Sequence, residues 1–215
     1  MALSLFIGAE AAAQQTQSER ERIMAEIDKD LHNDEKLQEA IRAGKDRSVL
    51  CGHCHGVDGN SKKSDIPNLA AQNSAYIVEQ IGKFANGERK NFVMQTLASN
   101  FTFKDKVNLA VYFTSQQVKP IDADPALAAK GERIYKNVCF RCHGENGKGE
   151  EGYARLAGQQ IDYVQMTLKR FRANANKANE FAEDAKRTNA SMEQVTARLS
   201  DEDIESLAHY IALLK

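Results

Sequence analysis

Apolar residues recur along this chain at helical spacing, and no segment shows convincing strand alternation. Near the C-terminus Ile204, Leu207, Ala208 and Ile211 share one stripe that Leu214 roughly extends. Ser200-Asp-Glu-Asp203 opens that helix with a cap and an acidic first turn. A weaker stripe of Val107, Ala110, Val111 and Thr114 follows a cap at Thr102. Ile77, Ile81 and Phe84, like Val164, Leu168 and Phe171, predict a middle helix in each half. The expected fold class is all-α. Between Ser18 and Leu31 the chain carries many charges of both signs, with Ile23, Ile27 and Leu31 every four residues. That spacing fits an extra amphipathic helix lying on the first half, and a solvated segment fits it equally.

The pattern is written twice. Cys51-x-x-Cys-His-Gly56-Val-Asp58-Gly59 matches Cys139-x-x-Cys-His-Gly144-Glu-Asn146-Gly147. Leu69-Ala-Ala-Gln72-x3-Tyr76-Ile77 matches Leu156-Ala-Gly-Gln159-x3-Tyr163-Val164, and Met94 and Tyr112 match Met192 and Tyr210. The second copy is longer by eleven residues within Arg172 to Asn189. An ordered series of matches of this kind is a tandem duplication. Two domains are expected, 34–118 and 127–215, joined by a proline-bearing linker at 119–126. They are preceded by an extension, 14–33, which could be helical.

At 215 residues the chain suits two small domains, with 27% charged and 42% apolar residues. The net charge of -1 carries no overall basic footprint for nucleic acid. No stretch approaches the length of about 20 apolar residues that spans a membrane. Residues 1–13 read as the remnant of a secretory signal, a short apolar run closed by small residues, although Glu10 and the absent basic start also fit a disordered tail.

All four cysteines lie in the two Cys-x-x-Cys-His motifs. Paired thiols can add to the two vinyl groups of one porphyrin, and the adjoining histidine then reaches the iron. Two covalently attached haem c groups are therefore expected, on Cys51, Cys54 and His55 and on Cys139, Cys142 and His143. A four-thiolate zinc site needs no histidine after each pair, and a thioredoxin-like dithiol expects a sheet. For the sixth iron ligand the repeat favours Met94 and Met192, since Met24 and Met166 have no counterpart in the other copy. A histidine alternative would draw on His32, His53 or His209, none of them duplicated.

With these residues the chain resembles the di-haem cytochromes of the c4 type, two class I cytochrome c domains in tandem, over roughly residues 35–215. The resemblance rests on Cys51-x-x-Cys-His-Gly-x-Asp-Gly, Pro67-Asn-Leu-Ala-Ala-Gln72, Met94, and Leu199-Ser-Asp-Glu-Asp-Ile204-x-x-Leu-Ala-x-Tyr210. It implies two helical haem domains related by a pseudo-two-fold axis. It also implies a periplasmic electron carrier, soluble or loosely membrane-associated, between a donor and a terminal oxidase or reductase. In that family a proline carbonyl orients the proximal histidine, a role that falls to Pro67 for His55. The second copy departs from this, with Ala154 at the aligned position. No catalytic residue is expected. The alternatives are an electron-accepting partner of a dehydrogenase such as one oxidising thiosulfate, a haem left open for catalysis, and a docking subunit using the N-terminal extension.

Overall fold

The computed structural model describes residues 19–150, 152–178, 181 and 187–215. The expected leader at 1–13, the start of the extension at 14–18 and part of the eleven-residue insertion lie outside the described residues. Among the described residues every regular element is helical. The first series is α1 (19–31), α2 (Asp34–Arg47), α3 (Gly52–His55), α4 (Ser74–Ala85), α5 (Phe92–Ala98) and α6 (Phe103–Thr114). The second is α7 (Pro125–Ile134), α8 (Phe140–His143), α9 (Ile161–Ala175), α10 (Ala190–Thr196) and α11 (Asp201–Leu213). Each series encloses its own apolar core.

In each half the long helix that precedes the Cys-x-x-Cys-His motif crosses the C-terminal one, α2 on α6 and α7 on α11, and these are the most extensive helix contacts among α2–α11. A glycine sits at each crossing, Gly44 against Asn108 and Gly131 against Ser206. Both C-terminal helices begin at the expected caps, Thr102 and Ser200, and each cap forms a complete capping box, with Asp105 and Asp203. The stripes Ile77/Ile81/Phe84, Val164/Leu168/Phe171 and Ile204/Leu207/Ala208/Ile211 are all buried. In α6, Thr114 of the expected stripe is exposed, while Lys106, Leu109, Tyr112 and Phe113 are buried as well. Tyr112 packs against Gly44 of α2 and Phe113 against Gly59, while Lys106 is paired with a carboxylate of α1.

That extra helix is an integral part of the first core: Ile23 and Ile27 are both 1% exposed. Glu19 binds the buried Lys106 at 2.7 Å and Glu26 binds Lys104 at 3.0 Å, both on α6. Leu31, however, is 52% exposed, and Asp30 is buried in its place. Every step of four residues rotates 40° past a full turn, so two steps carry Leu31 off the face while position 30 returns beneath it. Ile27→Ala is expected to destabilise the first half by about 2–5 kcal/mol, measured as a shift in denaturant midpoint at unchanged haem content.

Two further local features follow from the chain. Pro125, counted with the linker from the sequence, occupies the first turn of α7 behind the cap Asp124, where its missing N–H costs nothing. Seven positions lead from Gly44 to Cys51 and eight from Gly131 to Cys139. The additional residue is absorbed by a π-helical turn, Tyr135–Cys139, so the cysteine still reaches its place.

Candidate haem-binding sites

Each Cys-x-x-Cys-His motif is wound into a helical turn, α3 and α8 with Cys51 and Cys139 at their N-caps, which brings the two thiols and the histidine, at the first, fourth and fifth positions of the motif, about one turn apart. None of the four cysteines is in a disulfide. Burial pushes the Cys51 thiol up and the Cys139 thiol up to about 11, so neither is poised as a thiolate. Among the described residues no three His, Cys, Asp or Glu side chains converge as a metal-ion cluster, so the two pairs do not make one four-thiolate site.

His55 and His143 are each 9% exposed. His55 Nδ1 donates to the Pro67 carbonyl at 2.8 Å, and His143 Nδ1 donates to the Ala154 carbonyl at 2.9 Å. A carbonyl can only accept, so the proton is on Nδ1 and the Nε2 lone pair is left for a metal. Burial lowers the pKa of both rings, against the backbone hydrogen bond, and keeps them neutral. Ala154 therefore performs in the second half what Pro67 performs in the first. The loop that supplies each carbonyl is closed in the same way. Gly59, at φ 76°, accepts from Leu69 and Ala70 N–H at 2.7 and 3.0 Å. Gly147, at φ 67°, accepts from Leu156 and Ala157 N–H at the same two distances.

Met94 and Met192 each occupy the third residue of a seven-residue helix, α5 and α10. The capping side chains of Asn91 and Asn189 accept from the methionine N–H groups at 3.0 and 2.9 Å. Both thioethers are half-buried against the core of their own half. The rival histidines sit elsewhere. His32 and His53 are exposed, and His209 Nδ1 accepts from Asp124 N–H at 2.9 Å. Two thiols on one turn, a neutral ring with a free Nε2 and a fixed thioether fit a haem c in each half.

The contact between the halves is polar and reciprocal, and the sequence did not disclose it. Gln159 exchanges two hydrogen bonds with the Asn68 backbone, at 2.7 and 3.0 Å. Gln72 does the same with the Arg155 backbone, also at 2.7 and 3.0 Å. A second matched set surrounds two tyrosines. Arg89 stacks on Phe84, binds Gln80 and reaches Tyr163 across the interface. Arg187 stacks on Phe171, contacts Thr167, and binds both Tyr163 and Tyr76. The shared Arg-x-Asn-x-x-Met spacing, Arg89 to Met94 and Arg187 to Met192, was the signal that could have found the two arginines.

Burial alone would raise the Tyr163 phenol, but the Arg187 and Arg89 guanidiniums overturn this and pull it down to about 7. A phenol with a depressed folded pKa binds fewer protons folded than unfolded, so stability rises with pH across the gap. The stabilisation is fully present above the unfolded value near 10 and is lost as pH falls through about 7. Thermal unfolding across that window should show the rise, and Tyr163→Phe should flatten it.

The cytochrome c family signature matches residues 128–215. Cytochrome c4 of Azotobacter vinelandii is 35% identical over 188 residues, covering 79% of this chain and 86% of that protein. This chain is a member of the cytochrome c4 family. Reduced cytochrome c4 of Pseudomonas stutzeri superposes with a TM-score of 0.70 at 32% identity, covering 81% of this chain and 98% of the other. A more distant relative, from Thiomonas intermedia, is a thiosulfate dehydrogenase electron acceptor, 26% identical over 79% of this chain and 81% of its own length. This cytochrome c4 is accordingly a di-haem electron carrier with two covalently attached haem c groups. Among its described residues no helix is long and apolar enough to cross a membrane.

Proposed function

We propose that Cys51 and Cys54 bind one haem through thioethers, with His55 and Met94 as axial ligands. Cys139, Cys142, His143 and Met192 play the same parts for the second. The observation that carries this reading is the pair of matched sites, a histidine held by a backbone carbonyl and a methionine held by an asparagine cap in each half. Haem c supplies a one-electron ferric–ferrous couple, and axial methionine raises its potential. The chain's own contribution is rigidity. Pro67 and Ala154 fix the proximal rings, Asn91 and Asn189 fix the thioether-bearing turns, and the reciprocal glutamine contacts fix one half against the other. Ligands held in this way change little on oxidation or reduction, which keeps reorganisation small.

The two domains are 34–118 and 127–215, with 1–13 a leader and 14–33 an extension whose helix is part of the first domain. The protein works in the periplasm, passing electrons from a donor to a terminal oxidase or reductase through small transient interfaces. A spectroelectrochemical titration of the holoprotein tests this assignment. Two resolved one-electron transitions, each with the thioether-to-iron band in the ferric state, are expected. Two low-potential bis-histidine centres would overturn the axial assignment. The Thiomonas relative favours a second reading, with a thiosulfate dehydrogenase as donor. Rapid reduction by such an enzyme and thiosulfate would establish it.

A further inference from the structure

In the scheme above the two glutamines of the repeated Leu-Ala-x-Gln motif only fix the halves together, yet each is almost wholly buried, Gln72 at 5% and Gln159 at 6% exposure. Their contacts follow one rule. The carbonyl that accepts from His55 belongs to Pro67, and the N–H on the same peptide group belongs to Asn68. That N–H donates to Gln159 Oε1 of the other half at 2.7 Å. In the second half the carbonyl that accepts from His143 belongs to Ala154, and the N–H of the same peptide group belongs to Arg155. It donates to Gln72 Oε1 of the first half, also at 2.7 Å. Each Oε1 is held in place by a further N–H from its own half, Asn73 for Gln72 at 3.1 Å and Gln160 for Gln159 at 2.9 Å.

A peptide group that donates through its N–H is polarised, and its carbonyl becomes a stronger acceptor. The effect is largest where water is excluded, as it is around Asn68. A stronger acceptor draws the Nδ1 proton and makes the imidazole a more basic ligand. Basic ligands favour ferric iron and lower the potential. We infer that Gln72 and Gln159 are positioning residues that act crosswise: Gln159 tunes the haem ligated by His55, and Gln72 tunes the haem ligated by His143. The two centres are thus coupled through hydrogen bonds as well as by proximity, and separating the halves would alter both potentials.

The inference rests on the proposed histidine ligation, so the unmodified holoprotein comes first: without two haem transitions the ligation reading fails before any variant is made. The test measures both midpoint potentials in Gln159→Leu and Gln72→Leu holoproteins, with each haem assigned by paramagnetic NMR. Gln159→Leu is expected to shift the His55 centre upward and leave the His143 centre in place. Gln72→Leu is expected to do the converse. Gln159→Glu keeps an acceptor for the Asn68 N–H, so it should hold the His55 centre at or below its original potential. It also serves where the leucine variant fails to assemble. In the reduced protein the Nδ1–H resonance of the affected histidine should move upfield with the leucine change. A shift confined to the variant's own half, an equal shift in both centres, or no shift in either would overturn the inference.

Discussion

Gly131→Ala is expected to cost about 3 kcal/mol or more, despite placing a better helix former inside α7. The intrinsic gain from replacing a helical glycine by alanine is only about 1 kcal/mol. A β-carbon at Gly131 would run into the Ser206 carbonyl oxygen and lie 2.9 Å from Leu207 N, all of it backbone. Backbone cannot rotate away, so α7 and α11 must separate, and the cost falls on the largest helix contact of the second half. Gly44→Ala meets the Asn108 carbonyl and lies 2.6 Å from Tyr112 Cβ. At the entropy of unfolding of a domain this size, 3 kcal/mol is a drop in Tm on the order of 10–20 °C. Differential scanning calorimetry of the holoprotein checks it. An unchanged or raised Tm would mean that the crossing tolerates a methyl group.

Those glycines show which parts of the fold could be read beforehand. The Cys-x-x-Cys-His motifs stand out because covalent attachment fixes their spacing, and the caps at Thr102 and Ser200 are local, with partners three residues away. The helical stripes depend only on the period of the helix. By contrast, Gly44 and Gly131 matter through residues 64 and 75 positions away, and nothing near them in sequence says so. Gln72 and Gln159 were visible as matched residues, but their partners lie 83 and 91 positions distant in the other half. Arg89, Arg187 and the tyrosines they join are hidden for the same reason. The N-terminal helix is a middle case. Its periodicity was legible, but whether it packed depended on an uncovered face of α6, and the rotation that exposes Leu31 accumulates only over two turns.

The non-equivalence of the two copies also changes meaning. Ala154 in place of Pro67 leaves the histidine bond intact, 2.9 Å against 2.8 Å. The supporting peptide is held from the other side by Gln72, so a proline ring is not needed to immobilise it. What differs between the halves lies outside the ligand shell. The first half alone carries α1, and the second alone carries the π-helical turn and the longer segment before Met192.

Met192→Leu should therefore transform the second centre without unfolding it. Leucine is close to methionine in volume, and such swaps in a core cost less than about 1.5 kcal/mol. The backbone bond from Met192 N–H to Asn189 Oδ1 does not involve the side chain, so α10 keeps its cap. Only the thioether is lost. Axial ligands set haem potentials over about 0.8 V, and removing a ligand that favours the ferrous state should lower this centre on the order of tenths of a volt. The vacated position should also admit carbon monoxide in the reduced protein. The Met94→Leu counterpart should act on the first centre alone, because Met94 packs against the core of its own half. Potentiometric titration and carbon monoxide difference spectra of both variants read these outcomes. If either variant keeps its original potential and excludes carbon monoxide, that methionine is core packing and another side chain ligates the iron.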